Sequence, residues 1–295
     1  MTDVIAAPTV RKLAQEKGID LQKLARELGR TTIAREDLAS PAPPPPAAVA
    51  AGDTSYWDVD HAQYGPVTEE PMTRFAQLAA ANLAAANTLI PQVTHHDRAD
   101  MRAIEALRRE LKHEAQARGV RLTALAFHIK ALARSLREAP RFNASLTPDG
   151  KTLVLKDHVH IGIAVDTAHG LMVPVIRDVD RKGLWQIAAE IADLAGRAQT
   201  RKIKPAEMGG ASMSISNLGG IGGIGFTPIV NPPELALLGI TRTETVTVWE
   251  GDTPCPVPMA PLDLSYDHRV INGADAARFL VHFAGLLADP RRMMI

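Results

Sequence analysis

Cysteine is almost missing: Cys255 is the only one in 295 residues, so an intrachain disulfide is impossible and a cysteine-based zinc site is excluded. It stands in "TPCPVP", read as a proline-hemmed loop without the helix N-terminus or basic neighbours that activate a thiolate, which argues against a nucleophile. A charge surplus is missing too. With 33 basic and 33 acidic side chains and a pI near 7.2, no nucleic-acid partner is expected, because non-specific binding to phosphates needs excess Lys and Arg. No uninterrupted apolar run reaches the ~18 residues of a membrane span, and "MTDVIAAPTV" lacks the basic-then-apolar order of a secretory signal. A cytoplasmic protein without membrane association is the expectation. No repeat with a period of about 20–50 residues is visible.

What is present divides at a proline cluster. A chain that is 46% hydrophobic at this length supports one large domain and a small one. Residues 41–48, "PAPPPPAA", suit an extended polyproline-type spacer. Upstream, Pro8 fits a first helical turn; Val10, Leu13 and Ala14 form one stripe ended by Gly18, and Leu21, Leu24 and Leu28 form the next. "TTIAREDLAS" is read as a further helical turn. A unit of about 40 residues holds a marginal core without disulfide or metal, so it points to docking rather than to chemistry.

Downstream, helices and strands mix. Met101, Ile104, Leu107 and Leu111 share one face of a helix stopped at Gly119, and Thr123 suits the cap of a second helix that carries Leu125, Ile129, Leu132 and Leu136 and ends at Pro140. "HVHIGIAVD" alternates, with Val159, Ile161, Ile163 and Val165 on one side, as in a half-buried strand. A helix is expected over "LWQIAAEIADLAGRAQ", strands in "LMVPVIRDV", "ASMSIS", "LALLGITRT", "VTVW" and "LDLSYDH", and a last helix from about Ala274 to Ala288. The expected class is α+β with a mixed sheet.

Several candidate sites compete. "GGIGGIG" spells a dinucleotide fingerprint at Gly220, Gly222 and Gly225, but "FTPIVNPPE" follows where a helix N-terminus would have to meet the pyrophosphate; a turned loop is the better reading. His95 and His96 are adjacent on an extended segment and point to opposite faces, which disfavours a shared metal. "RKIKP", Arg201 to Lys204, reads as a solvated face, or alternatively a contact for a phosphorylated ligand. His268 lies where strand "LDLSYDH" gives way to a helix, a position where such folds expose working groups; a structural histidine and a catalytic base both remain open. Asn272 before Gly273 suits a turn. Ser216 ends a strand before the glycine loop, which suits either a turn or an oxyanion donor.

Taken together, "DHRVING" (Asp267 to Gly273), "FNASL", "HIGIAVDTAHGLMVPVIRDVD", "SMSISNLGGIGG", "FTPIVNPPELALLGI" and the apolar end "RRMMI" resemble the acyltransferase component of the 2-oxo acid dehydrogenase complexes. The resemblance spans about residues 65–295, and "APTVRKLAQEKGIDLQKLA" with "IAREDL" is similar to the small peripheral subunit-binding domain of that family. It implies a chloramphenicol acetyltransferase-like catalytic domain over 65–295, a Pro/Ala-rich linker over 41–64, and a small all-α binding domain over 1–40.

By this resemblance His268 is the general base, Ser216 stabilises the oxyanion, and Asn272, where many members carry Asp, orients or hydrogen-bonds. Coenzyme A contacts fall on Arg108, Thr123, Asp166, Ser216 and Asn217, and no metal is implied. The acyl group is expected to be acetyl, passed between dihydrolipoamide and coenzyme A. The resemblance also implies a homotrimer, with Met293, Met294 and Ile295 joining trimers into a larger core. Residues 1–40 would bind the 2-oxo acid decarboxylase or the dihydrolipoyl dehydrogenase. No lipoyl domain precedes residue 1 here, so the lipoyl group is expected from another chain or from a domain absent from this sequence. The competing expectation is a scaffold that organises partner enzymes with little transferase activity. A stand-alone antibiotic-modifying acyltransferase fits less well, given the N-terminal segment and "SISNLGGIGG".

Overall fold

The computed structural model of the chain describes residues 4–28, 31–34 and 58–293. The 41–48 spacer, Gly29, Met294 and Ile295 therefore lie outside the described residues. The chain divides into two compact units, residues 1–70 and 71–295.

In the first unit, helices α1 (Pro8–Glu16) and α2 (Leu21–Leu28) form where the apolar spacing expects them, with Pro8 in the opening turn of α1 and Gly18 at φ 65° after its end. Val10, Ala14, Ala25 and Ile33 make the small core. Of the further helical turn expected over residues 31–40, residues 35–40 lie outside the described residues, and no helix forms at its start. Thr32–Ile33 is instead a short strand, β2, pairing in parallel with β1 (Ile5–Ala6). A β-branched pair opposite another apolar pair fits an extended ladder better than a helix.

The second unit is built on a seven-stranded sheet. Its strands are β3 (Gln92–Asp100), β6 (Ile161–Ile163), β7 (Val175–Ile176), β8 (Met213–Asn217), β9 (Ala236–Ile240), β10 (Glu244–Glu250) and β11 (Thr253–Asp267). The path runs β10-β11-β9-β8-β6-β7, with β3 added to β11. The β6–β8 and β8–β9 pairs are parallel and the others antiparallel, which makes the sheet mixed as expected. A separate hairpin joins β4 (Ala144–Leu146) to β5 (Leu153–Leu155).

One face of the sheet is apolar. Ile215, Leu238 and Leu264 stand in register across β8, β9 and β11 and share one core with side chains of α6 (Ala124–Glu138), α7 (Leu184–Gln199) and α8 (Gly273–Ala288). Phe142 stacks on Phe279, ring centroids 4.2 Å apart, and ties the end of α6 to α8. The helix expected over 101–119 forms as α4 (Arg102–Glu110) and α5 (Lys112–Ala117). They are divided at Leu111, although Leu111 still bonds to Leu107 and Ala115 along the same axis.

Two expectations need correction, and one helix was not anticipated. The strand expected over "HVHIGIAVD" shrinks to Ile161–Ile163 and is buried on both faces, with Ile161 and Ile163 in the core on one side and Gly162 covered by the Ser214 and Val173 side chains on the other. Helix α3 (Arg74–Leu89) forms over a segment with no clear apolar stripe; Leu78, Leu83 and Leu89 on it are exposed. Cys255 lies in β11 opposite Val248 rather than in a loop. Pro254, Pro256 and Pro258 alternate, so their missing N–H groups fall on one edge of the strand, the side on which the Pro258 carbonyl meets the Met101 N–H. Among the described residues no strand pairs with that edge before Met259.

Backbone closeness marks the opposite face. A methyl group at Gly239 would stand 2.6 Å from Phe226 Cε1 and 3.2 Å from Asp263 Cβ. Overpacking of this kind costs about 1–3 kcal/mol. Gly239→Ala is therefore expected to lower the unfolding free energy measured in urea by that amount, with the midpoint moving down accordingly, and an unchanged midpoint would show that Phe226 moves aside freely.

Candidate active site

His268 follows the last residue of β11 and is exposed. The turn that carries it is clamped from both sides. Asp267 is 1% exposed and accepts the Arg269 backbone N–H at 3.0 Å and its guanidinium at 2.9 and 2.6 Å. The Asp267 N–H donates to the Leu235 carbonyl, and the His268 N–H donates to the Pro91 carbonyl. Asn272 caps α8, its side-chain oxygen accepting from the Asp275 N–H at 2.9 Å. The motif thus presents an imidazole from a rigid strand-to-helix turn, with the Tyr266 ring 5.7 Å away.

Ser216 is half-buried on the sheet face opposite the helices. It pairs with Gly239, Gly239 with Asp263, and Asp263 with His96, giving one row across four strands. The neighbouring row holds Ser214, Leu237, Ser265 and Thr94, with the Thr94 and Ser265 hydroxyls 2.7 Å apart. Asp263 is 2% exposed and accepts from His96 Nδ1 at 2.6 Å and from the Phe226 N–H at 3.2 Å. His95 pairs with Leu264, so the two histidines do face opposite ways. Within one chain Ser216 and His268 do not meet. Ser216 is two strand spacings, about 10 Å, from Asp263, and His268 is about 17 Å further along β11.

The residues that the resemblance assigns to coenzyme A separate into two groups. Arg108, Thr123 and Asn217 line one cavity of about 540 Å³ in the second unit. Asp166 and Ser216 do not line it; Asp166 is exposed, with its carbonyl held by Gln199. Arg108 is tied to Glu105 at 2.7 Å and to the Leu122 carbonyl at 3.3 Å. Thr123 occupies the N-cap position of α6 without a side-chain capping bond. Sequence reasoning missed Arg121 and Arg242 on the same cavity. Arg242 sits just past β9, where nothing local distinguishes it from a surface arginine. After the glycine loop no helix forms through residue 234, as "FTPIVNPPE" requires, and Arg201, Lys202 and Lys204 remain exposed.

Sequence reasoning also missed Glu234, a carboxyl 4% exposed whose Oε1 accepts from Ser214 Oγ at 2.9 Å and from Asn231 Nδ2 at 3.3 Å. Its only signal was an acid after "NPP" at the entry to an apolar strand. Burial pushes this carboxyl up to about 7 from the ordinary 4.5, against the smaller opposing pull of those hydrogen bonds and of Lys156. Between these two values the folded chain holds a proton that the unfolded chain has lost, so this group makes stability fall as pH rises through the window and stay level above it. The melting temperature of Glu234→Gln relative to the unmodified chain should therefore climb from pH 4.5 to 7 and then plateau. A pH-independent difference would mean that the carboxyl does not titrate there.

Comparison with known proteins places these features. A family model described as "2-oxoacid dehydrogenases acyltransferase (catalytic domain)" matches residues 64–295, and one described as "e3 binding domain" matches residues 4–29. The chain is 46% identical over 301 residues to the dihydrolipoyllysine-residue acetyltransferase component of the pyruvate dehydrogenase complex of Pseudomonas aeruginosa, covering 99% of this chain and 55% of that protein. The Azotobacter vinelandii component of the same description is 46% identical over 302 residues, with coverage of 99% and 47%. The chain spans about half the length of these curated relatives. A solved structure of Azotobacter vinelandii dihydrolipoamide acetyltransferase, from work on a serine, a histidine and an asparagine in its catalytic mechanism, is 50% identical. It aligns with a TM-score of 0.79 over 80% of this chain and 98% of that one. The cubic core of a pyruvate dehydrogenase multienzyme complex aligns with the same TM-score, identity and coverage.

Proposed function

Because the chain belongs to the family of 2-oxoacid dehydrogenase acyltransferases, we propose that it passes an acetyl group between dihydrolipoamide and coenzyme A. The observation that carries this reading is the clamped turn that presents His268. A free thiol, with a pKa near ~8.5, is mostly protonated at neutral pH, and its thiolate is the nucleophile. His268 takes the thiol proton as sulfur attacks the thioester carbonyl, and the Ser216 hydroxyl donates to the resulting oxyanion. Collapse expels the other thiol, which recovers the proton from the imidazole. Asn272 acts as a positioning residue by fixing the start of α8. The serine, histidine and asparagine studied in the Azotobacter enzyme have the same spacing along its chain as Ser216, His268 and Asn272 have here, which supports these roles.

The separation of His268 from Ser216 supports a site assembled from two copies. A homotrimer, with each copy giving its histidine to a neighbour's serine, closes such a ring. The exposed Leu78, Leu83 and Leu89 on α3 supply apolar surface for that assembly. Coenzyme A enters with its phosphates toward the arginines of the cavity, and the lipoyl group arrives on another chain or on a domain outside the residues at hand. The match of residues 4–29 to an e3 binding domain supports docking of dihydrolipoyl dehydrogenase through the first unit. The test is acetyl transfer from acetyl-coenzyme A to free dihydrolipoamide. Transfer by the assembled chain is expected; its absence in correctly assembled protein would leave a scaffold that organises partner enzymes.

A further inference from the structure

Glu234 is bonded toward both chemical groups that the chain contributes. Its carboxyl, 4% exposed, accepts the Ser214 hydroxyl at 2.9 Å. Ser214 stands two residues before Ser216 on β8, so the two side chains leave the same face of the strand. The residue after Glu234, Leu235, gives its carbonyl to the Asp267 N–H at 2.8 Å, and Asp267 clamps the turn that presents His268. The segment leading into Glu234 is tied down as well. Asn231 donates to the carboxyl at 3.3 Å and accepts the Glu234 N–H at 3.0 Å. The Val230 N–H donates to Gln92 Oε1 at 2.9 Å, one residue beyond the Pro91 carbonyl that holds the His268 N–H. Packing alone does not call for an acid here. Burial disfavours the charged form, and Lys156, its amine bonded to the Ala211 carbonyl, opposes that only weakly; an apolar side chain would carry no such cost.

We propose that Glu234 is a positioning residue for both half-sites of its chain, holding the strand that carries Ser216 through Ser214 and the His268 turn through Leu235 and Asp267. This rests on the reading above, in which that serine and that histidine serve different sites of a trimer. One side chain then keeps in place two groups that a chain hands to two active sites, and its loss damages both.

The experiment is subunit mixing, read as kcat for acetyl transfer to dihydrolipoamide at saturating acetyl-coenzyme A and matched trimer content. The reference mixture is Ser216→Ala with His268→Ala, whose working sites take the histidine from the first chain and the serine from the second. Adding Glu234→Ala to the Ser216→Ala chain tests the histidine half alone, and adding it to the His268→Ala chain tests the serine half alone. Both mixtures should fall about ten- to a hundredfold below the reference, the cost of misplacing a reacting group by up to about 1 Å. Glu234→Gln, which keeps the shape and the acceptor for Ser214, should restore most of the rate in each. A merely structural carboxyl would lower the melting temperature of the Glu234→Ala chains and leave the rate per assembled trimer at the reference value. Glu234→Asp, which withdraws the carboxyl by one methylene, takes the place of an alanine chain that does not assemble. The reference rate in either mixture overturns the proposal, as does a loss that glutamine leaves unrepaired. An inactive reference mixture overturns the shared site and the proposal with it.

Discussion

His268→Ala is expected to lower acetyl transfer by about 10²- to 10⁴-fold, the usual contribution of a positioned acid–base group. The same change should leave stability within about 0.5 kcal/mol, because the side chain is exposed and removing it opens no cavity. The turn survives as well: the bond from the residue-268 N–H to Pro91 is made by the backbone, and the Asp267–Arg269 clamp does not involve the imidazole. Activity and melting temperature should therefore separate cleanly in this variant. Transfer rates compared at matched trimer content, with thermal unfolding alongside, read both. An alanine variant that keeps its rate would remove His268 from the mechanism.

Ser216→Ala is expected to cost about 10²- to 10³-fold in kcat, the range found when one oxyanion donor is removed, with little change in KM. Its sharper use is in combination. Because Ser216 and His268 lie about 20 Å apart in one chain by strand spacing and rise, neither variant can repair its own site. A mixture of the two can. When equal amounts of Ser216→Ala and His268→Ala are dissociated and reassembled, roughly one quarter of the sites in a closed trimer combine an intact serine with a neighbour's intact histidine. Recovered activity near that fraction of the unmodified rate is the expected result. A mixture no more active than its components would mean that no site is shared between copies.

Much of the fold was legible because it is set locally. Helix α7 covers the segment read as helical from its apolar spacing, 184–199, and α8 begins at Gly273 because Asn272 caps it in place. Rejection of the dinucleotide fingerprint rested on the prolines after Gly225, and no helix follows there. Cys255 was misplaced for the converse reason. Prolines forbid a strand only where an N–H must be donated, and whether the edge of β11 was paired depended on where β3 ends, about 155 residues earlier along the chain. Helix α3 escaped notice because several of its apolar side chains are exposed and so give no one-sided pattern.

By itself the sequence determined most helices, most strands, the proline boundary and the Asp267–Gly273 motif, since each depends on residues within a few turns of one another. It also fixed the chemical types of a site: an imidazole, a hydroxyl, and arginines scattered along the chain. The tertiary structure alone decided which of these meet. Strand register aligned Ser216 with Gly239, Asp263 and His96 and kept His268 away, and helix packing against the sheet drew Arg108, His128 and Arg242 around one cavity. Such contacts come from long loop closures whose cost is repaid only by the whole core, so no local pattern announces them.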